Sequence, residues 1–113
     1  MKTSELTGAA LDWAVAKCEG EDYSPVITYN GIGQEFPATN YSIDWAQGGP
    51  IIEREKIEPR LFADDGSIWF AHLGAKPFPL DAQVTGSTPL IAAMRCYVAS
   101  KLGDEVEIPK ELE

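Results

Sequence analysis

Thr88-Pro89-Leu90-Ile91-Ala92-Ala93-Met94-Arg95-Cys96-Tyr97-Val98-Ala99-Ser100-Lys101-Leu102-Gly103 is the stretch whose reading decides the fold. Threonine is a favoured N-cap, and proline suits the first helical position because its missing N–H would be unpaired there anyway. Glycine supplies the stop, so the run 90–102 is expected to be helical. At about 100° per residue, Leu90, Ile91, Met94, Tyr97 and Val98 form a broad apolar stripe. The reverse side carries only small residues: Ala92, Ala93, Cys96, Ala99 and Ser100. A helix that is apolar on one side and small on the other is packed on both. It is expected at the centre of the core.

Upstream of this helix, Leu61-Phe62 and Ile68-Trp69-Phe70-Ala71 flank Asp64-Asp65-Gly66-Ser67, the pattern of a β-hairpin with glycine in its turn. A first hairpin is expected where 26–29 (Val-Ile-Thr-Tyr) meets Asn30-Gly31, the dipeptide favoured in type I′ turns, with 32–36 as the return strand. Pro25 and Pro37 bracket it, which marks an edge feature. At the N-terminus, Ser4 is an expected N-cap with Glu5 in the first turn. That helix should run to Glu19 and close on Gly20 in the left-handed conformation. Leu11, Ala14, Val15 and Cys18 share one face, and Leu6, Trp13 and Ala16 fall opposite, so the helix is covered on both sides or exposes a tryptophan.

Residues 42–56 read differently. Asp44 can cap one helical turn, and Pro50 can open a continuation through Lys56. Gly48-Gly49 weakens any helix running straight through, which favours an irregular loop leading into a short helix. With helices and two hairpins but no strand–helix–strand alternation, the fold class is α+β. The expectation is a small single domain of two to three helices and two β-hairpins over 1–103, with an acidic C-terminal tail at 104–113.

A chain of 113 residues with 44% hydrophobic content has the length and the apolar material for one domain with a true core. The net charge is −9, and residues 104–113 contribute five of the carboxylates against one lysine. Such a balance repels phosphate backbones and anionic membranes, since non-specific nucleic-acid binding needs lysine and arginine to displace counterions. No direct nucleic-acid or membrane partner is expected. The body's acids are interspersed with apolar residues, unlike the dense rows of a DNA mimic. No 18-residue apolar stretch occurs, and Glu5 and Asp12 interrupt the apolar N-terminal region, so a secretory leader is not expected. Cytoplasmic localisation follows, with Cys18 and Cys96 as reduced thiols.

Several chemistries lack their residues. Zinc needs about four nitrogen or sulfur ligands, whereas the chain has two cysteines and one histidine. A serine or cysteine hydrolase would depend on His72 as its base, and His72 sits in a strand-like run, Trp69-Phe70-Ala71-His72-Leu73. No phosphate-binding loop is present, and Gly31-Ile32-Gly33 is a turn rather than a dinucleotide fingerprint. Glu53, Glu55, Asp64 and Asp65 match no calcium or magnesium loop. No catalytic residue, metal site or cofactor is assigned.

What remains is Asp44-Trp45-Ala46-Gln47-Gly48-Gly49-Pro50-Ile51-Ile52-Glu53. A tryptophan beside an acid in a glycine-rich segment can anchor a partner. Candidate binding residues are Asp44, Trp45, Gly48, Gly49 and Glu53, joined by Trp13 on the first helix. The expected function is a non-enzymatic protein-binding module. The rival is a small enzyme or small-molecule binder that gathers Asp44, Glu53 and His72 around a Trp-lined pocket.

Three blocks, residues 4–16 (Ser-Glu-Leu-Thr-Gly-Ala-Ala-Leu-Asp-Trp-Ala-Val-Ala), 44–53 and 88–103, together resemble the NinX-type proteins of temperate phages and prophages. The similarity covers nearly the whole chain in the same order. Members often read Pro-Ser-Thr-Asp before the tryptophan, where this chain has Tyr41-Ser42-Ile43-Asp44, so no role rests on a hydroxyl at position 43. The resemblance implies a phage or prophage accessory protein in a bacterial cytoplasm and little more; the protein-binding reading adds a host or phage protein as the expected partner. It carries over no catalytic residues.

Overall fold

A computed structural model describes residues 1–62, 64–73 and 84–113. In chain order the elements are α1 (Gly8–Glu19), β1 (Thr28–Tyr29), β2 (Glu35–Phe36), α2 (Trp45–Glu55), β3 (Ile57–Leu61), β4 (Trp69–Leu73), β5 (Val84–Gly86) and α3 (Pro89–Leu102). Short 3-10 turns at Thr3–Glu5 and Lys110–Leu112 lie outside them. The α+β class is confirmed: three α-helices stand with a two-stranded sheet, β1-β2, and a three-stranded antiparallel sheet in the order β3-β4-β5.

The α3 signals work as read. Thr88 Oγ1 accepts from the Ile91 N–H at 3.0 Å, Pro89 opens the helix, and the Gly103 N–H closes it on the Ala99 carbonyl. Leu90, Met94, Tyr97 and Val98 are buried on the stripe, and Ala92, Ala93 and Cys96 are buried behind it. The small side admits backbone directly. At Gly86 of β5, an added Cβ would lie 2.7 Å from the Ala92 nitrogen. The helix thus contacts all three strands of the larger sheet and both other helices.

Three expectations need correction. The first helix starts at Gly8, not Ser4, because Gly8 has φ +54° and breaks the chain away from the preceding 3-10 turn. Its far end is as expected, with Gly20 left-handed at φ 72°. The first hairpin pairs Thr28 with Phe36 and Tyr29 with Glu35 rather than turning at Asn30-Gly31. The Asn30 N–H donates to the Gln34 carbonyl and the Asn30 side chain accepts from Ile32 and Gln34, so Gly33 takes the left-handed position at φ +84°. That is a three-residue loop with a glycine bulge.

Third, 45–55 is one continuous helix and not a loop leading into a short helix. Asp44 caps it, its carboxylate accepting from the Ala46 N–H at 2.9 Å. Pro50 forfeits only the bond to the Ala46 carbonyl, and Ala46 is exposed to water that can replace it. The helix ends on Lys56, a non-glycine residue at φ 56°, and passes directly into β3. The second hairpin forms as expected between β3 and β4, and the three-residue strand β5 extends it into a three-stranded sheet.

The ends of the chain are tied together. The Val106 and Met1 backbones exchange hydrogen bonds at 3.0 Å, and Thr3 Oγ1 donates to the Gly103 carbonyl at 2.6 Å. The acidic segment 104–113 therefore lies on the domain, with Val106 and Ile108 buried in the core. Among the described residues no helix is long and apolar enough to cross a membrane.

Candidate functional site

The geometry of α2 sorts the sequence-derived site residues onto two faces. Positions 45, 49 and 53 recur every four residues and share one stripe. Trp45 is 52% exposed and Glu53 is exposed, while Gly49 lies beneath the indole, where an added Cβ would meet Trp45 Cε3 at 3.9 Å. Ile43, just before the cap, is also exposed. Gly48 points the other way: an added Cβ would fall 2.6 Å from both Leu90 Cδ1 and the Tyr41 carbonyl oxygen. Gly48 thus lets α2 approach α3, and its neighbour Ile51 is buried beside it.

Trp13 is half-buried against the core on α1, with the Lys17 ammonium 5.2 Å from its ring centroid. Asp12 beside it is buried, its carboxylate accepting from the Ser42 N–H at 2.8 Å. Burial pushes the Asp12 carboxyl up, and the Ser42 bond partly offsets this. That bond fixes the backbone leading into α2 against α1, which holds Ile43 and Trp45 in place from below.

The residues of the rival reading do not converge. Asp44 and Glu53 stand at opposite ends of α2, roughly 13 Å apart along the axis. His72 lies on β4 directly across from Glu58, with Nε2 3.1 Å from the Glu58 carboxylate. Asp44, Glu53 and His72 are all absent from the lining of the cleft described next.

That cleft, about 880 Å³, opens between the end of α1, the β1-β2 hairpin and the flank of α2. Sequence reasoning missed it, along with the polar cluster at its edge. Arg54 grips Glu19 through two nitrogens, at 3.0 and 2.7 Å, and reaches Glu55 at 2.9 Å. The buried Tyr97 donates its hydroxyl to Glu19, and Arg54 donates to the same hydroxyl at 3.2 Å. Tyr41 donates to Glu21 at 2.6 Å. The Arg54 bonds, aided by Tyr97, hold the Glu19 carboxyl below the usual range. Burial and then the neighbouring carboxylates raise both tyrosine hydroxyls. Burial likewise pushes the Cys18 and Cys96 thiols up to about 11.

Glu19, Arg54 and the two tyrosines are accordingly fixed in their ordinary neutral-pH charge states, and Glu19 already has its partners. The cluster braces three helices by joining Glu19 of α1, Arg54 of α2 and Tyr97 of α3. Its members lie 35, 43 and 78 residues apart, with no local motif to betray them. Among the described residues no group of three or more His, Cys, Asp or Glu is arranged to hold a metal ion.

Fold and surface together define a small α+β domain with an exposed tryptophan on α2 and an open acidic cleft beside it. The chain belongs to a phage protein family: the family model described as Bacteriophage P22, NinX matches residues 2–101. No curated protein matches the chain.

Proposed function

We propose that this phage accessory protein is a non-enzymatic binding module that engages a host or phage protein in the bacterial cytoplasm through the outward stripe of α2. Trp45 and Ile43 are the apolar anchors, Glu53 lies at the far end of the stripe, and Asp44 and Gly49 shape the surface around the indole. No cofactor, nucleic acid or membrane takes part.

One observation carries this reading. Trp45 is half exposed on a helix whose frame is rigid, capped by Asp44 and seated through Gly48 on Leu90. An exposed indole on a fixed element is the kind of anchor that dominates protein interfaces, because it buries a large area at little conformational cost. A net charge of −9 also fits a protein partner better than a phosphate backbone.

Site-specific photo-crosslinking tests it. A photoreactive residue at position 46 or 53, exposed beside the indole or at the far end of its stripe, should yield one discrete crosslinked protein from phage-infected cells. The same residue at position 67, in the turn between β3 and β4, should yield none. Equal products from all three positions would refute the assignment of α2.

A further inference from the structure

We infer that the β1-β2 hairpin and the cleft behind it form a second docking surface, whose occupant is an extended, basic, apolar-rich segment of a partner protein. The proposal rests on the protein-binding reading but not on the Trp45 stripe.

The hairpin is the first observation. Val26, Ile27, Tyr29, Ile32 and Phe36 are all exposed, Ile32 to 88%. They crowd into eleven consecutive positions of a two-stranded sheet that pairs only with itself among the described residues. Thr28 pairs with Phe36 and Tyr29 with Glu35, so Phe36 and Tyr29 stand on opposite faces of the hairpin, and exposed apolar side chains on both faces of one arm mark it as a contact element. A lone two-stranded hairpin is also marginal in water, so it gains from a partner. Here the base of the arm is fixed: the Ser24 N–H donates to Thr39 Oγ1 at 2.9 Å, and the Thr39 N–H donates to the Ser24 carbonyl at 2.6 Å. Both outer edges offer unpaired backbone groups, which favours an occupant in extended form.

Charge selects the occupant. From residue 18 to residue 53 the sequence has six carboxylates, at positions 19, 21, 22, 35, 44 and 53, and no lysine, arginine or histidine. Arg54, the first cation after that stretch, is held by Glu19 and Glu55. In the cleft lining, Glu21 accepts from Tyr41 and retains lone pairs for further donors, and Asp22 is exposed beside it. Apolar contact is supplied there by Phe36, Pro37 and Pro50. A lysine or arginine can bury its stem on such a lining while its head meets the carboxylates. A second copy of this chain is the wrong occupant, because it would set Glu21, Asp22 and Glu35 against like charges.

The test is a titration of the isotope-labelled full-length protein, followed by amide NMR, with a blocked ten-residue peptide of alternating arginine and leucine. Two counterparts replace arginine by glutamine or by glutamate. The arginine peptide should shift the amides of Asp22, Thr28, Phe36 and Gln47. Its affinity should fall about tenfold between roughly 50 mM and 500 mM NaCl, as expected for a charge-led contact. Asp22→Lys should weaken it about tenfold and Phe36→Ser by a similar factor. Phe62→Ser, on the other hairpin, should leave it unchanged. No shift at about 1 mM peptide, shifts centred on β3–β5, or equal binding of the glutamate peptide would each overturn the proposal. If the peptide fails while crosslinking through position 53 persists, the cleft assignment falls and the α2 assignment stands.

Discussion

Gly48 on α2 and Leu90 on α3 meet so closely that a single added carbon at position 48 would sit 2.6 Å from Leu90 Cδ1, well inside contact distance. The same carbon would lie 2.6 Å from the Tyr41 carbonyl oxygen, which is backbone and cannot swing aside. The adjacent Gly49 is turned about 100° away from α3, with only Trp45 Cε3 nearby at 3.9 Å.

These neighbours should respond to alanine with opposite signs. Overpacking a tight site costs about 1–3 kcal/mol, while alanine in place of glycine gains about 1 kcal/mol in a helix. Gly48→Ala, with its backbone clash at the upper end of that range, is expected to be up to about 2 kcal/mol less stable than the parent, and Gly49→Ala about 0.5–1 kcal/mol more stable. Urea unfolding of the two variants checks both signs at once.

The glycine pair also explains why α2 was only partly legible in the sequence. Local propensity treats Gly48-Gly49-Pro50 as three weak helix positions, and that judgement is sound for an isolated peptide. The contact with Leu90, 42 positions away, overrides it, and nothing local announces that contact. By contrast Thr88, Pro89 and Gly103 state the limits of α3 within the element itself, so α3 is legible from its own residues. Strand β5 has only three residues, Val84-Thr85-Gly86, too few to show alternation. The Trp45, Gly49 and Glu53 stripe could be anticipated as a segment but not as a face, because the helix that aligns them was not foreseen. The Glu19–Arg54–Tyr97 cluster joins three helices and leaves no mark on any one of them.

The acid limb of stability should depend on that cluster. Glu19 has its folded pKa depressed, first by Arg54 and then by Tyr97. Its stabilisation is complete above the unfolded carboxyl value of about 4.3 and is lost as pH falls through the lower folded value. Glu55, held down first by Arg54 and then by Lys101, acts in the same direction. Asp12, raised by burial, acts oppositely and gains stability on protonation. In Glu19→Gln the decline in urea midpoint below about pH 5 should be shallower than in the parent. Parallel curves would show that the pair contributes nothing on folding.

Met94 has no exposed surface at the centre of α3. Met94→Ala should cost about 2–5 kcal/mol, a large share of the roughly 5–15 kcal/mol that holds a domain folded. Each kcal/mol corresponds to about 4–8 °C in a domain near this size, so the melting temperature should drop by at least roughly 8 °C. A drop of only a degree or two would move α3 from the centre of the core to its edge.

Trp45→Ala tests the central claim most directly, because anchoring a partner and filling the core predict different behaviour for one variant. The variant should be melted beside the parent and then used as bait in phage-infected cells for the protein that crosslinks through position 53. With the indole half in water, the account predicts a melting temperature within a few degrees of the parent and loss of the captured partner. A variant that still captures the partner at the parent's level would contradict it. So would one destabilised by about 3–5 kcal/mol, the cost of removing a tryptophan from a core.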